Sequence, residues 1–508
     1  MKNKKQFFCF IITLILVLTG CEQTKTFHTS KAPAPKAGSM FIFPERIILE
    51  NGGFYNAERA TMFVPLNRSV KGSDVISLDV YRFKASPKAD PGTPPIFFLH
   101  GGPSFAGLED QLEIPGTFEK NWQFMLDVAD VVVVSQRGIG PSKPTTLIEN
   151  TVPAQAPGQP YDENKAINDL QEILTKEREV WEELGLDLRG FTVLEAAEDV
   201  NDVRKAFGYN KITLWGGSFG SHWGMTLMRM HPEIIERAIM RGMEGVDHTY
   251  DHPGHTWNVY ERVAEEAENS SELRDHIPEG GLIKAVETIK MRLEENPVTV
   301  EVTKPESGEV QEVYFDANSI KNLSRGYSGN LASWPADIIT LYNGDFSGAA
   351  ERAARRYNNS GRSFRTASYY MLDCGSGITK ERFEEHQSDP ANEFIETGWG
   401  YIYGCPCWDS DLGNEFRQNF ETNIPMVMVQ GTWDQKTPYE NAVELAPYFK
   451  NLQFVTVKRG PHSTIKAAMA VSDVFKEALL KFAAGGDMSG LPDVIELPEP
   501  EWVVPEIK

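Results

Sequence analysis

Cysteine and positive charge are both scarce in this chain. Five cysteines are spread over 508 residues, and 50 Lys and Arg stand against 72 Asp and Glu, a formal net charge of -22. An excess of that sign repels phosphates, so a nucleic-acid partner is excluded. The one close cysteine pair, Cys405-Pro406-Cys407, has a single intervening residue, short of the spacing a zinc site uses, and no metal is expected. Internal repeats and low-complexity tracts are missing. The 41% hydrophobic and 11% aromatic content is that of a globular protein. A chain this long buries a large core and is expected as one big domain with an insertion, or as two domains.

Long apolar runs are missing too, except at the start. "MKNKK" supplies positive charge, and "FFCFIITLILVLTG" follows, a run of secretory-signal length and marginal for crossing a bilayer of roughly 30 Å. The run ends in Leu18-Thr19-Gly20-Cys21, which resembles the lipobox of bacterial lipoproteins. That resemblance implies a signal peptide over 1–20 and a lipidated Cys21. The protein is then exported and anchored to a bacterial membrane, with its active site in an aqueous compartment. Glu22, where Asp would retain the protein, implies outer-membrane sorting in a Gram-negative source. An uncleaved signal anchor is the alternative. Residues 21–40, polar and Pro-containing, read as a tether. With Cys9 in the signal and Cys21 lipidated, Cys374, Cys405 and Cys407 remain, enough for one bridge and a spare thiol in an oxidising compartment.

Beyond the tether, "VISLDVYRF" (75–83) alternates as a half-exposed strand does. "PPIFFLHGGP", "DVVVVSQRGIG", "KITLWGGS", "ERAIMRG", "IPMVMVQG" and "LQFVTVKRG" are apolar runs ending near glycines, the pattern of strands buried on both faces. Helical patterns lie between them, over 164–185 and over 192–208, where Thr192 and Glu195 have capping-box spacing. Strands alternating with helices predict an α/β class with a doubly wound, mostly parallel sheet, whose chemistry gathers at the carboxyl ends of the strands. The rhythm breaks between about 250 and 415, where only "VTVEVTK" and "EVQEVYF" read as strands. The expected division is a core over 41–250, a largely helical cap over 251–415, a second part of the core over 416–485, and a tail over 486–508.

One strand-to-helix handover stands out: "LWGGSFG" puts Ser218 between glycines, where a sharp turn can lift a hydroxyl clear of the sheet. A serine becomes nucleophilic when a base takes its proton and a carboxylate orients that base. Asp434 follows the strand "IPMVMVQG", and His462 follows "LQFVTVKRG", in the order serine, acid, histidine. Taken alone, Asp434 reads equally well as a helix cap and His462 as a loop residue; three strand ends in that order point to a triad. Glu244 is the rival acid. The oxyanion of an acyl-transfer intermediate then needs backbone donors, for which Phe219, directly after the serine, and Gly102, in "FFLHGGP", are the candidates. His100 is read as fixing that loop.

In this order, "FFLHGGP", "SQRGIGPS", "GGSFG", "GTWDQKTP" and "GPH" resemble the α/β-hydrolase-fold serine aminopeptidases related to proline iminopeptidase. The likeness is greater to the secreted tripeptidyl-aminopeptidase branch, through "VWEELGLDLRGFTVLEAAEDVNDVRKAFG" and a cysteine-to-tryptophan motif at Cys405 and Trp408. It covers about 60–250 and 365–480. The resemblance implies an α/β-hydrolase fold with the cap inserted between the sixth and seventh strands. It also implies an aminopeptidase that releases short N-terminal residues or peptides through a Ser218-His462-Asp434 triad and an acyl-enzyme, without a cofactor. The alternative is a carboxylesterase or lactonase with the same triad. An inactive surface binding protein is a third reading, opposed by the intact triad. In the family, acidic cap residues receive the substrate amine; here Glu244, Asp247 and Asp251 are the candidates. The resemblance further implies a Cys374–Cys405 bridge, with Cys407 as the competing partner. Ser104, Ser135 and Phe219 depart from the family pattern near the expected pocket, which bears on substrate preference.

Overall fold

The apolar runs form the middle of a ten-stranded sheet. In the computed structural model the described residues are 35–103, 111–148, 152–304, 307–324, 330–359 and 366–505; the expected leader, Cys21, most of the tether and Ser104 lie outside them. The strands are β1 (Met40–Ile48), β2 (Phe54–Pro65), β3 (Val75–Phe83), β4 (Ile96–Leu99), β5 (Val131–Val134), β6 (Ile212–Gly217), β7 (Ile235–Arg241), β8 (Val298–Thr303), β9 (Val310–Phe315), β10 (Met426–Gly431), β11 (Leu452–Lys458) and β12 (Val494–Glu496). The sheet order is β1-β2-β3-β5-β4-β6-β7-β10-β11-β12, with β8 and β9 forming a separate antiparallel pair. Pairing is antiparallel among β1, β2, β3 and β5 and parallel from β5 onward. This is the doubly wound, mostly parallel α/β sheet.

Successive strand residues face opposite ways, so β5 feeds two cores. Val132 and Val134 join Leu78, Val80, Phe97 and Leu214 under the helices Glu163–Glu183, Val193–Ala206 and Phe219–Met230. Val131 and Val133 join Phe83, Ile96 and Trp215 on the other face, against Trp122, Phe475 and Phe482. The alternation read in β3 does not produce a half-exposed strand. β3 lies between β2 and β5, and Leu78, Asp79, Val80, Tyr81 and Phe83 are all buried. Asp79 is accommodated there by Arg59, whose Nε lies 2.8 Å from its Oδ1. Thr192 caps its helix as expected, accepting from the Glu195 N–H, while the Glu195 carboxylate goes to Arg68 rather than completing a capping box.

The insertion lies between β7 and β10. Counted without the edge strand β1, that is the gap between the sixth and seventh strands of the main sheet. Its first part has its own core, including Trp257, Tyr260, Leu282, Ile289 and Trp334, with the β8–β9 hairpin alongside. Its last part, the helix Ala367–Ser376 and the segment to Trp408, packs into the main core through Tyr370, Met371 and Leu372. A disulfide joins Cys374 to Cys405 with Cα atoms 5.1 Å apart, and Cys407 is the buried free thiol. In the tail, β12 extends the sheet beside β11.

Four of the ten histidines gather where this insertion meets the sheet. His252 stacks on His255 at 4.3 Å, and His386 meets His252 edge-on at 4.6 Å. His248 Nε2 and His255 Nε2 approach the Glu444 carboxylate at 3.1 and 3.4 Å, Arg382 reaches it at 3.1 Å, and Asp389 lies 3.6 Å from His252. Burial is the main force lowering the imidazole pKa values, to about 4 for His248 and His252 and about 3 for His386. Burial raises Glu444, but His248 and Arg382 outweigh it and hold it at about 2, so it stays ionised while the histidines titrate. Unfolded histidine takes its proton near pH 6.5, so below that pH the unfolded chain binds more protons than the folded one. Stability is therefore complete above about pH 6.5 and declines as pH falls toward 4. Thermal melts should show a midpoint several degrees lower at pH 4.5 than at pH 7.5, with His386→Gln reducing the difference.

Candidate active site

The turn between β6 and the helix Phe219–Met230 places Ser218 at φ 57° and ψ -137°, a backbone conformation few non-glycine residues adopt. Its N–H donates to Gly242 O at 3.0 Å, tying the turn to the end of β7. The turn is possible because Gly220 has no side chain; a Cβ there would come within 2.0 Å of Leu99 O. The loop after β4 passes just above: a Cβ on Gly101 would sit 3.1 Å from Ser218 Cβ. Gly102 follows, and Phe219, first residue of the helix, has an N–H with no acceptor inside the helix.

Asp434 and His462 leave the neighbouring strands β10 and β11. Both Asp434 oxygens lie 2.9 Å from His462 Nδ1. The carboxylate is fully buried and also accepts from Lys436 N–H at 2.9 Å, Thr437 N–H at 3.1 Å and Thr437 Oγ1 at 2.8 Å. Burial by itself pushes this carboxyl up; the facing imidazole and the Thr437 donors outweigh it and hold it below its ordinary range. Gly242 brings the serine to this pair. It accepts the Ser218 N–H, and a Cβ on it would meet His462 Cε1 at 3.2 Å and Asp434 Oδ2 at 3.4 Å. Ser218, His462 and Asp434 therefore meet around one glycine.

Several supporting groups were not read from sequence. Arg241, the last residue of β7, donates to His462 O at 2.6 Å and fixes the backbone of the histidine loop. Gln430 donates to Thr437 O at 2.7 Å and accepts from Met243 N–H at 3.0 Å, joining the acid loop to the segment after β7. Ser221 Oγ donates to Ser218 O at 2.7 Å and accepts from Glu244 N–H at 2.9 Å. Thr437 stands three residues after Asp434 in "GTWDQKTP", a spacing visible in the sequence; nothing in the sequence marks Arg241. His100 is half-buried and bonded to its own loop, its Nδ1 3.0 Å from Gly101 O, with Gln136 donating to His100 O at 3.3 Å.

The three acidic residues after β7 separate. The Glu244 carboxyl is pushed well up, first by burial and then by the charges of Asp373 and Asp251, so these three form one group. Tyr401 bonds to Asp373 and to Tyr369, and its ring stacks on Tyr250 at 5.6 Å. Asp247 is elsewhere: it accepts from Thr379 N–H at 2.6 Å and Thr379 Oγ1 at 2.8 Å, bracing the start of the helix Lys380–Ser388. Among the described residues no group of three or more His, Cys, Asp or Glu is arranged to hold a metal ion.

Two family models match the chain: the alpha/beta hydrolase fold over residues 94–265 and a TAP-like protein over 392–481. Similar proteins include a proline iminopeptidase of Neisseria meningitidis, 23% identical over 165 residues, 32% of this chain and 37% of the relative's own length. They also include a tripeptidyl aminopeptidase of Streptomyces lividans, 22% identical over 380 residues, 71% of this chain and 69% of that one. Among solved structures, a serine hydrolase from Cycloclasticus zankles is 14% identical with a TM-score of 0.33, covering 84% of this chain and 98% of that one.

Proposed function

We propose that this chain, which carries the α/β-hydrolase fold and a TAP-like segment, is a serine hydrolase that removes short residues or peptides from free amino termini. The observation carrying the proposal is the buried Asp434 paired with His462 beside the strained turn that presents Ser218. With Nδ1–H held by Asp434, the basic nitrogen of His462 is Nε2. It takes the Ser218 proton as Oγ attacks the substrate carbonyl. The Phe219 and Gly102 N–H groups receive the oxyanion, each such donor lowering the barrier by roughly 3 kcal/mol. His462 then passes its proton to the leaving amine, and water releases the acyl group by the same route.

Substrate preference follows from the acidic group. Glu244, Asp251 and Asp373, with the Tyr250 and Tyr401 rings beside them, form a half-dry site of like charge that an ammonium would relieve. Asp247 is not part of this proposal, since Thr379 occupies it. The similarity to a proline iminopeptidase and a tripeptidyl aminopeptidase agrees with amine recognition. An exported enzyme, anchored through Cys21, also accords with the Cys374–Cys405 bridge, which an oxidising compartment permits.

The test compares one peptide anilide with a free or an acetylated amine, and a simple ester, on one purified sample. Acetylation should cut kcat/KM by roughly 100-fold, because it removes the cation that the acidic group attracts, and losing one member of a partly buried ion pair costs about 3 kcal/mol. Glu244→Gln should narrow that gap. Equal turnover of the two peptides would refute amine recognition and favour an esterase.

A further inference from the structure

Among the described residues, only two non-glycine residues have positive φ: Ser218 at 57° and Arg459 at 60°. The left-handed region costs a side chain on the order of 1 kcal/mol, and such strain persists where the surroundings enforce it. Ser218 is explained by its turn. Arg459 lies three residues before His462, outside the roles assigned above.

Its surroundings do enforce it. The Arg459 N–H donates to Thr432 Oγ1 at 2.9 Å, on the loop that carries Asp434. Its guanidinium takes three partners from two other segments: Leu497 O at 2.6 Å and Glu496 at 3.1 Å in the tail, and Glu266 on the helix Pro253–Asn269. The tail is itself fixed to the histidine strand, with Lys458 paired to Glu496 in the sheet and Leu497 N–H donating to Lys458 O at 3.2 Å. The two loops are joined directly, Trp433 N–H donating to Gly460 O at 3.1 Å and Thr432 N–H to Val457 O at 3.0 Å. Farther along the tail, Trp502 packs on Trp433, the neighbour of Asp434, with ring centres 6.0 Å apart. Arg262, one turn before Glu266, donates to Thr432 O at 3.0 Å. An ordinary surface ion pair contributes little and leaves backbone geometry alone. This one joins the tail, the insertion and both catalytic loops at a strained residue.

We infer that the C-terminal segment is a brace for the acid–base half of the triad, with Arg459 and Trp502 as positioning residues that keep His462 aligned on Asp434 and Ser218. The inference rests on the serine-hydrolase reading. Arg459→Gly is the informative substitution, because glycine accepts φ near 60° without strain and so removes the guanidinium while relieving the turn. Trp502→Ala and its conservative counterpart Trp502→Phe probe the other contact.

The experiment measures the rate at which a fluorophosphonate labels Ser218, together with kcat and KM on a p-nitrophenyl ester and the melting temperature. A small misplacement of a catalytic group costs far more in rate than in binding. Arg459→Gly and Trp502→Ala should each slow labelling and lower kcat about tenfold, with KM within about twofold, and Trp502→Phe should recover most of the loss. Labelling at the wild-type rate in both Arg459→Gly and Trp502→Ala overturns the inference. So does activity lost only in proportion to folded protein, which would make the segment purely structural. If wild-type Ser218 is not labelled at all, the serine-hydrolase reading fails first and takes this inference with it.

Discussion

Replacing Ser218 with alanine is expected to lower kcat/KM by roughly four orders of magnitude or more, and His462→Ala by about as much. The double variant should be little worse than either single one, because a nucleophile without a base and a base without a nucleophile are equally idle. Asp434→Asn is the more discriminating change. The carboxylate faces Nδ1 with both oxygens at 2.9 Å, so it fixes the proton on Nδ1 and leaves Nε2 basic. An amide presents an N–H to Nδ1 and favours the opposite tautomer, which costs on the order of 10⁴ in kcat while shape and packing are retained. Steady-state kinetics measure these losses, and mass mapping of a fluorophosphonate adduct should find Ser218 modified in Asp434→Asn, slowly, but nothing in Ser218→Ala. Full activity in Ser218→Ala would remove the proposed mechanism altogether.

The sheet was legible because its strands are short, apolar and buried on both faces: "VVVV" at β5 and "MVMVQG" at β10 admit few other readings. The triad candidates were legible because chemistry in such a sheet gathers at strand ends, and three glycine-flanked ends carried the needed side chains. What stayed hidden depends on long-range pairing. β3 alternates in sequence, yet Arg59 of the adjacent strand makes its polar face burial-tolerant, and nothing local announces that. Glu244, Asp247 and Asp251 look equivalent in "RGMEGVDHTYD"; Thr379, over a hundred residues later, removes Asp247 from the group, and Asp373 joins it. The tail reads as Pro-rich and polar, and only its register on β11 turns Glu496 and Leu497 into partners of Arg459.

Arg137, in the middle of "SQRGIGPS", should give the largest loss of stability. It lies three residues beyond the end of β5 and is fully buried, an environment that no free guanidinium tolerates. Asp199 supplies the counter-charge in bidentate form, with Arg137 Nε to Oδ2 and Nη2 to Oδ1 both at 2.7 Å. The remaining donors reach Leu66 O at 2.6 Å, Pro65 O at 3.2 Å and Gly190 O, so one side chain closes the end of β2 and the turn before the helix Val193–Ala206 onto the sheet. Arg137→Ala strands all of these at once: a buried carboxylate keeps only Arg68, at 2.9 Å, and the carbonyls it served lose this donor. The expected cost is about 3–5 kcal/mol, read as a shift in the urea denaturation midpoint without a change in slope. Asp199→Ala should cost nearly as much, because it leaves the guanidinium only its longer contact to Glu195, at 3.5 Å. Replacing both residues with apolar ones should recover only part of the loss, since the Leu66 and Gly190 carbonyls still lack their donor. Adjacent Gln136 donates to the carbonyls of His100 and Gly101, at 3.3 and 3.4 Å, so a loosened Arg137 also loosens the loop proposed to hold the oxyanion. Activity at low denaturant should therefore decline before the global transition in Arg137→Lys, which keeps the charge but loses the bidentate geometry. A variant that loses less than about 1 kcal/mol, within the range of an ordinary surface substitution, would show that the buried pair is not what holds these segments together.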